Sequence, residues 1–359
     1  MDAQLEAVER ANGAAFVRVA GRELPARFGD VQGEWAAVRR RCGLLDARFR
    51  GLLRVTGSDR ITFLQGMVSN DVAQLHAGEG TYAALLTQQG KVVSDLRVYV
   101  LAEEVWLDVP AARAQVVRES LERYIIADDV ELVADDAWAP LIALEGPEAA
   151  RVVQAVTGEP VDQLEPFAHR ELPCGDAHVR VAAASHGGER GYLILGDPAL
   201  STTLWERCRA AAAQPVGMEA LDVLRVEAGI PWYGCDMDES TLISEVGLES
   251  AISYKKGCYL GQEVVERVAA RGQVHRKLVG LVCTGGVVPP EHSTLVRDGK
   301  DIGAITSAVW SPARQAVIAL GYVRRECWDV GCEVAVVLAE GSVTARVVAV
   351  PFVGNPPAQ

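Results

Sequence analysis

Apolar positions along the chain switch repeatedly between the two periods that mark strands and helices. Leu52-Leu53-Arg54-Val55 reads as a short strand ending at Gly57. Ser58-Asp59 then caps a helix that places Ile61, Phe63, Leu64 and Met67 on its apolar side. Strand-like runs follow at 82–86, 92–101 and 105–109, and Pro110 opens a helix carrying Val116, Val117, Leu121 and Tyr124. The same order then recurs. Leu141-Ile142-Ala143-Leu144 is a strand ending at Gly146, and Pro147 opens a helix through Val152, Val153 and Val156. Strands at 179–183 and 192–195 precede Pro198 and a helix with Leu204, Trp205 and Cys208. The two punctuating glycines lie 89 residues apart and the prolines Pro110 and Pro198 lie 88 apart, which predicts an internal repeat of a β-α-β-β-α unit.

The flanks differ. Residues 1–41 read as polar and helical, with Trp35, Val38 and Cys42 at helical spacing. Beyond Leu278 the chain breaks into short runs at 278–283, 302–306, 316–322, 333–338 and 343–350, separated by Gly, Pro, Asp or Ser. Such spacing predicts a small barrel or sandwich. The tail Gly354-Asn355-Pro356-Pro357 reads as loose. The expected fold class is therefore α+β, with two related units and a C-terminal all-β domain.

A length of 359 residues suits two or three domains at roughly 150 residues each. Lys and Arg total 35 against 48 Asp and Glu, a net charge of −13, which argues against general nucleic-acid binding and against an anionic-membrane surface. No apolar run reaches the ~18 residues of a spanning helix, and the start MDAQLEAVER lacks an apolar signal core. A cytoplasmic protein is expected. Its eight cysteines are scattered without a CxxC pair and read as reduced thiols. Cys327 and Cys332 are five apart but have no second pair or nearby His, so no metal site is expected. Neither a P-loop nor a dinucleotide-binding glycine pattern is present.

The densest chemistry lies in Tyr254-Lys255-Lys256-Gly257-Cys258-Tyr259-Leu260-Gly261-Gln262-Glu263. Residues 254–277 hold Lys255, Lys256, Arg267, Arg271, Arg276 and Lys277 against Glu263 and Glu266, a local charge of +4. With a helix starting near Gly261, Cys258 lies ahead of its N-terminus and beside two ammonium groups, both of which favour the thiolate. A turn with solvated lysines and a buried cysteine is the other reading of the same residues.

Lys256-Gly257-Cys258-Tyr259 with Gly261-Gln262-Glu263 resembles the signature of the YgfZ family, folate-binding relatives of the glycine cleavage T-protein (aminomethyltransferase). Arg225-Val226-Glu227-Ala228-Gly229-Ile230-Pro231 with Gly234 is similar to its R-x-E-x-G-x-P segment. Cys42 to Asp46, Val55-Thr56-Gly57, Phe63 to Gly66, Asn70-Asp71-Val72, Gly90-Lys91, Ser94-Asp95-Leu96, Gly303 to Ser307 and Ala319 to Tyr322 extend the likeness from Cys42 to Val350. The resemblance implies a three-domain ring around a channel: 1–47 with 137–215, 48–136 with 216–276, and a barrel at 277–359. It implies tetrahydrofolate in the channel. Arg225, Asp95, Lys256, Tyr259, Gln262 and Glu263 become the binding candidates, and Cys258 the reactive thiol. Folate or a related small molecule and an iron–sulfur client are the implied partners.

Three departures shape the functional expectation. The T-protein carries two adjacent Asp where this chain has Ser94-Asp95, and Asp95, as the next strand residue, points away from the missing carboxylate. A pterin-binding Glu, 32 positions before the Arg, is replaced by Leu193, which cannot accept hydrogen bonds. The His-Met-Gly segment reads Phe49-Arg50-Gly51. On these grounds the chain is expected to be a YgfZ-type factor supporting iron–sulfur proteins through the channel and Cys258. The alternatives are a folate-dependent aminomethyltransferase and a non-catalytic interaction protein of the same fold. One cysteine cannot hold a cluster, so Cys235, 23 residues before Cys258, is a second thiol of interest.

Overall fold

Charged residues alternate with apolar ones in strands that are buried on both faces, and this alternation sets where the site lies. The computed structural model describes residues 2–133, 137–271 and 274–354. The side chain of Arg271 and residues 355–357 of the tail lie outside the described residues.

The first sheet has five strands in the order Gly80–Leu86, Val92–Val100, Val105–Pro110, Arg50–Thr56 and Glu131–Val133, with the paired neighbours antiparallel. One face packs Leu96, Val98, Leu107 and Val109 against Phe63, Leu64 and Met67 of the helix Arg60–Met67 and against Val117 and Leu121 of the helix Ala114–Glu122. The second sheet repeats the arrangement with His169–Cys174, Ala177–Ala183, Gly191–Gly196, Ala139–Glu145, Gly43–Asp46 and Gln214–Pro215. Its covering helices are Ala149–Thr157 and Ser201–Ala210, which bury Val152, Val153, Leu204 and Trp205. The glycines that punctuate the repeat are fixed by the backbone. Gly57 and Gly146 sit at φ +99° and +123°, and a Cβ there would lie 2.0 Å from the Asp129 carbonyl oxygen and 2.4 Å from that of Val38.

Each unit is strand, helix, three strands, helix, one strand more than the sequence pattern predicts for the second copy. The overlooked strand, His169–Cys174, exposes Arg170, Glu171 and Pro173, so its apolar signal is weak. Residues 1–41 are not continuously helical. Helices Asp2–Ala11 and Val31–Arg40 flank a hairpin of Ala15–Val19 and Arg22–Arg27. Its turn, Ala20-Gly21, takes positive φ at both residues (+52° and +80°), the conformation that matches strand twist.

The C-terminal region closes a barrel in the order Arg276–Cys283, Ala316–Arg324, Lys300–Ser311, Thr294–Arg297, Glu333–Val337 and Ser342–Val348. Leu281, Leu295, Ile305, Val317, Val336 and Val347 fill it. The four-residue strand Thr294–Arg297 was too short to register as a pattern. The fold is thus mixed α+β with two related units and a barrel. Among the described residues, no helix is long and apolar enough to cross a membrane.

Candidate active site

Strand periodicity decides which side chains face the space between the sheets. In Val92–Val100, Leu96 and Val98 go to the helix-covered core, whereas Asp95 and Arg97 face a cavity of about 760 Å³. That size accommodates a ligand of a few hundred daltons. Phe49, Arg50 and Tyr82 reach it from the first sheet and Ala184, His186 and Gly191 from the second; the segments 162–167 and 230–235 complete its walls.

Aromatic rings form much of the lining. Phe49 stacks on Trp232 with centroids 5.6 Å apart and meets the edge of His186 at 5.1 Å, and Tyr82 lies parallel to Phe167 at 6.3 Å. Against these walls stands one carboxylate with an unused oxygen. Asp95 Oδ2 accepts from the Tyr82 hydroxyl at 3.3 Å and lies 3.8 Å from Arg50 Nη1. Asp95 Oδ1 is buried and has no hydrogen-bond partner among the described residues, and the same is true of the Tyr233 hydroxyl on the cavity wall. Burial, and then the Asp95 charge, hold the Tyr82 phenol well above its ordinary pKa, so it donates. Burial likewise pushes Tyr233 up to about 12.

Behind Asp95 runs a buried polar chain. Arg50 Nε donates to Asp108 Oδ1 at 2.7 Å and Arg97 Nη1 to Asp108 Oδ2 at 3.0 Å. Arg97 Nη1 also donates to His186 Nε2 at 2.8 Å, which leaves the imidazole proton on Nδ1, 3.2 Å from Glu145 Oε1. Glu145 accepts the backbone N–H groups of His186 and Gly187. The chain ties the first sheet to the second, and every member is buried.

The sequence-predicted residues separate into two places. Asp95 lines the cavity and Cys235 joins it, with burial pushing the Cys235 thiol up to about 11. Arg225 lies beneath the wall. It is 1% exposed, donates to Asp222 Oδ1 at 2.7 Å, to Ser307 Oγ at 2.7 Å and to Asp236, and its guanidinium sits 5.3 Å from the Trp232 ring. Lys256, Cys258, Tyr259, Gln262 and Glu263 do not contribute to the cavity lining. Lys256 Nζ donates to the carbonyls of Val68 and Asn70, both at 2.7 Å, and burial pushes its pKa down to about 8. Gln262 accepts the Tyr259 N–H at 3.2 Å and Glu263 lies in the first turn of the helix Gln262–Arg271. Cys258 is exposed just before that helix.

Sequence reasoning missed Arg50, Tyr82, Arg97 and His186. The available signal was a charge inside an apolar strand run, as with Arg97 in Val92–Val100 and Asp108 in Val105–Pro110; burial of such a charge demands a partner.

The fold and site together define a class, a two-sheet body with a carboxylate-bearing cavity and an appended barrel. Residues 5–256 match the GCVT N-terminal domain and residues 276–354 the glycine cleavage T-protein C-terminal barrel domain, so the chain belongs to the glycine cleavage T-protein family. It is 33% identical to an aminomethyltransferase of Rubrobacter xylanophilus over 96% of this chain and 91% of that protein. It is 32% identical to one from a Synechococcus strain over 96% of both. The crystal structure of the glycine cleavage system aminomethyltransferase T from Bartonella henselae superimposes with a TM-score of 0.92, at 26% identity, over 99% of this chain and 98% of that one.

These findings overturn the expectation of a YgfZ-type iron–sulfur factor, since the likeness to proteins named aminomethyltransferase spans nearly the whole chain. Nothing in the site or the relatives points to an iron–sulfur client. Two of the three departures that prompted the expectation have a structural explanation. Ser94 is fully buried and its hydroxyl turns to the Asp95 carbonyl at 2.7 Å, so the carboxylate facing the cavity is the one that the chain retains. Leu193 packs into an apolar cluster with Phe49, Tyr99 and Trp106 and does not line the cavity, whereas Glu189 does.

Proposed function

We propose that the chain is an aminomethyltransferase that passes a one-carbon unit from an aminomethylated lipoyl carrier to tetrahydrofolate, with Asp95 as its acid–base group. The observation that carries this reading is Asp95 Oδ1, buried at the cavity wall without a partner while Oδ2 is held by Tyr82 and Arg50. A buried acceptor without a donor is costly unless a ligand supplies one.

The lining fits a reduced folate. Phe49, Tyr82, Phe167 and Trp232 offer faces for flat rings, Glu189 offers an acceptor for an aminopyrimidine edge, and Arg18 and Arg190 offer cations for a glutamate tail. Tetrahydrofolate supplies the nitrogens that take up the one-carbon unit. The protein holds the ring between aromatic walls, excludes water from the transfer point and keeps a carboxylate within reach of an N–H or a departing thiol. Tyr82, which stays protonated, and Arg50 fix the rotamer of Asp95 at the cavity wall.

Two coarser points accompany this reading. The division into 1–47 with 137–215, 48–136 with 216–276, and 277–359 is supported by the membership of Gly43–Asp46 in the sheet built from residues 139–215. Eight free thiols favour a reducing, cytoplasmic setting.

The test is turnover with an aminomethylated lipoyl carrier and tetrahydrofolate. Asp95→Asn should lose on the order of 10²–10⁴-fold in rate while keeping its thermal transition within a few degrees. Absence of turnover by the natural protein, or full activity in Asp95→Asn, would sink the proposal.

A further inference from the structure

Away from the cavity, the barrel brings together two cysteines that the proposed function does not use. Cys327 ends the short helical turn Arg325–Cys327, and Cys332 precedes the strand Glu333–Val337. A turn with a Cys332 N–H to Asp329 carbonyl bond of 3.0 Å, and Gly331 at φ +95°, doubles the chain back between them. Arg297, at the end of Thr294–Arg297, places a single nitrogen against both sulfurs. Its Nη1 lies 2.9 Å from Cys332 Sγ and 3.5 Å from Cys327 Sγ. The two thiols also meet directly, Cys327 being a hydrogen-bond partner of Cys332, so small rotamer changes would bring the sulfurs together; a disulfide further requires Cα atoms within about 7 Å and converging Cβ vectors. Cys327 is buried, 1% exposed, whereas Cys332 is partly open to solvent.

We propose that Cys332 and Cys327 form a peroxide-reactive dithiol, with Cys332 as the attacking sulfur, Cys327 as the resolving sulfur and Arg297 as the cation that holds the thiolate. The asymmetry of exposure assigns the roles. A hydroperoxide reaches Cys332 directly, and Cys327 is buried from solvent. The reaction balances in two steps. Cys332, having given up its proton, attacks one peroxide oxygen; the O–O bond breaks, and the departing hydroxide or alkoxide takes that proton to leave as water or alcohol. The product is the Cys332 sulfenic acid. Cys327 sulfur then attacks Cys332 Sγ, the S–O bond breaks, and the hydroxide leaves with the Cys327 proton as water. Two thiols are oxidised to one disulfide and one hydroperoxide is reduced. Burial and the neighbouring Cys327 push the Cys332 thiol up, and the Arg297 guanidinium opposes that shift; donating to both sulfurs, it stabilises the anion in the first step and organises the second.

The site is independent of folate chemistry, and so is its test. The intact protein is exposed to hydrogen peroxide at neutral pH, unreacted thiols are blocked with N-ethylmaleimide, and peptides are weighed. The expected product is a peptide carrying Cys327 and Cys332 with two hydrogens lost and no added block, restored by dithiothreitol. In Cys327→Ser, dimedone should label Cys332 as a trapped sulfenic acid. Arg297→Met should slow disulfide formation at least tenfold with the barrel folded by circular dichroism. Oxidation of Cys235 or Cys258 ahead of Cys332 would overturn the proposal. So would accumulation of a Cys332 sulfinic acid in the natural protein with no Cys327 linkage, or an unchanged rate in Arg297→Met.

Discussion

Arg50 reaches Asp95 across an intervening strand. The two residues belong to Arg50–Thr56 and Val92–Val100, which are separated in the sheet by Val105–Pro110, and Arg50 Nη1 stands 3.8 Å from Asp95 Oδ2. The intervening strand contributes Asp108, fully buried between Arg50 Nε at 2.7 Å and Arg97 Nη1 at 3.0 Å. Two arginines and two aspartates thus neutralise one another on the sheet face that meets the cavity. Arg50 is the bridge: one end clamps Asp108 and the other sets the field at Asp95.

Removing that bridge should therefore destabilise the fold as well as disturb the site. Arg50→Met leaves Asp108 with one cation in place of two, and breaking a buried ion pair costs about 3–5 kcal/mol. The urea midpoint should fall accordingly with an unchanged m-value. Arg50→Lys should recover only part of the loss, because an ammonium cannot serve Asp108 and Asp95 through a planar fork. A loss under about 1 kcal/mol in Arg50→Met would show that solvent screens this pair.

Much of this was legible in the sequence, for reasons that differ by element. The repeat declared itself because Gly57 and Gly146 are required by backbone conformation, and such positions leave a mark that packing does not erase. The barrel declared itself through regular turn residues. The hairpin at Ala15–Val19 and Arg22–Arg27 did not: the second strand is polar in sequence and contains a proline, and the first, though apolar, lies largely exposed and without alternation. The site was only partly visible. Asp95 could be picked out, but its direction was misread because the neighbouring Ser94 was taken as the functional position. Arg225 and Lys256 were noticed as cations, yet a cation in sequence does not reveal its partner; one meets Asp222, Asp236 and Ser307, the other two backbone carbonyls. His186 and Glu145 meet only when the second sheet closes on the first, a contact without local signature.

Arg225 gives the sharpest contrast between a ligand-binding and an architectural role. Its guanidinium joins the helix Met218–Ala228 to Ser307 on the barrel strand Lys300–Ser311 and to Asp236, which itself accepts from Thr306 and Ser307. Arg225→Met should destabilise the protein by about 3–5 kcal/mol by leaving the Asp236 carboxylate buried without its counter-charge. The affinity of the folded fraction for tetrahydrofolate should change by less than tenfold, because the guanidinium is not part of the cavity lining. Isothermal titration on the variant, corrected for folded fraction, decides the matter. A hundredfold loss of affinity with an unchanged urea midpoint would instead place Arg225 on the ligand.

The pair Glu145 and His186 makes a pH prediction with a distinctive sign. Burial raises Glu145 from 4.5 to about 7, against the opposing N–H bonds of His186 and Gly187. Burial, then Arg97 and Arg50, holds His186 well below its ordinary 6.5. Neither shift depends on the other side chain's charge. Between pH 4.5 and 6.5 folded Glu145 binds more proton than unfolded Glu145, so its contribution is full below 4.5 and is lost as pH rises through about 7. Folded His186 binds less proton than unfolded His186, so its contribution is present above 6.5 and is lost as pH falls below that value. The two slopes oppose each other and nearly cancel in the natural protein. Single substitutions should expose them. Glu145→Gln leaves the histidine term, and stability should rise with pH across this window by at most about 1.4 kcal/mol per unit. His186→Asn leaves the glutamate term, and stability should fall with pH by a similar slope. The measurement is the urea midpoint of each protein at several pH values from 4.5 to 6.5, compared with the natural protein so that titration of surface groups drops out of the difference. Differences of the same sign for the two variants would show that the buried imidazole and carboxyl do not titrate as a neutral base and a raised acid in the folded state.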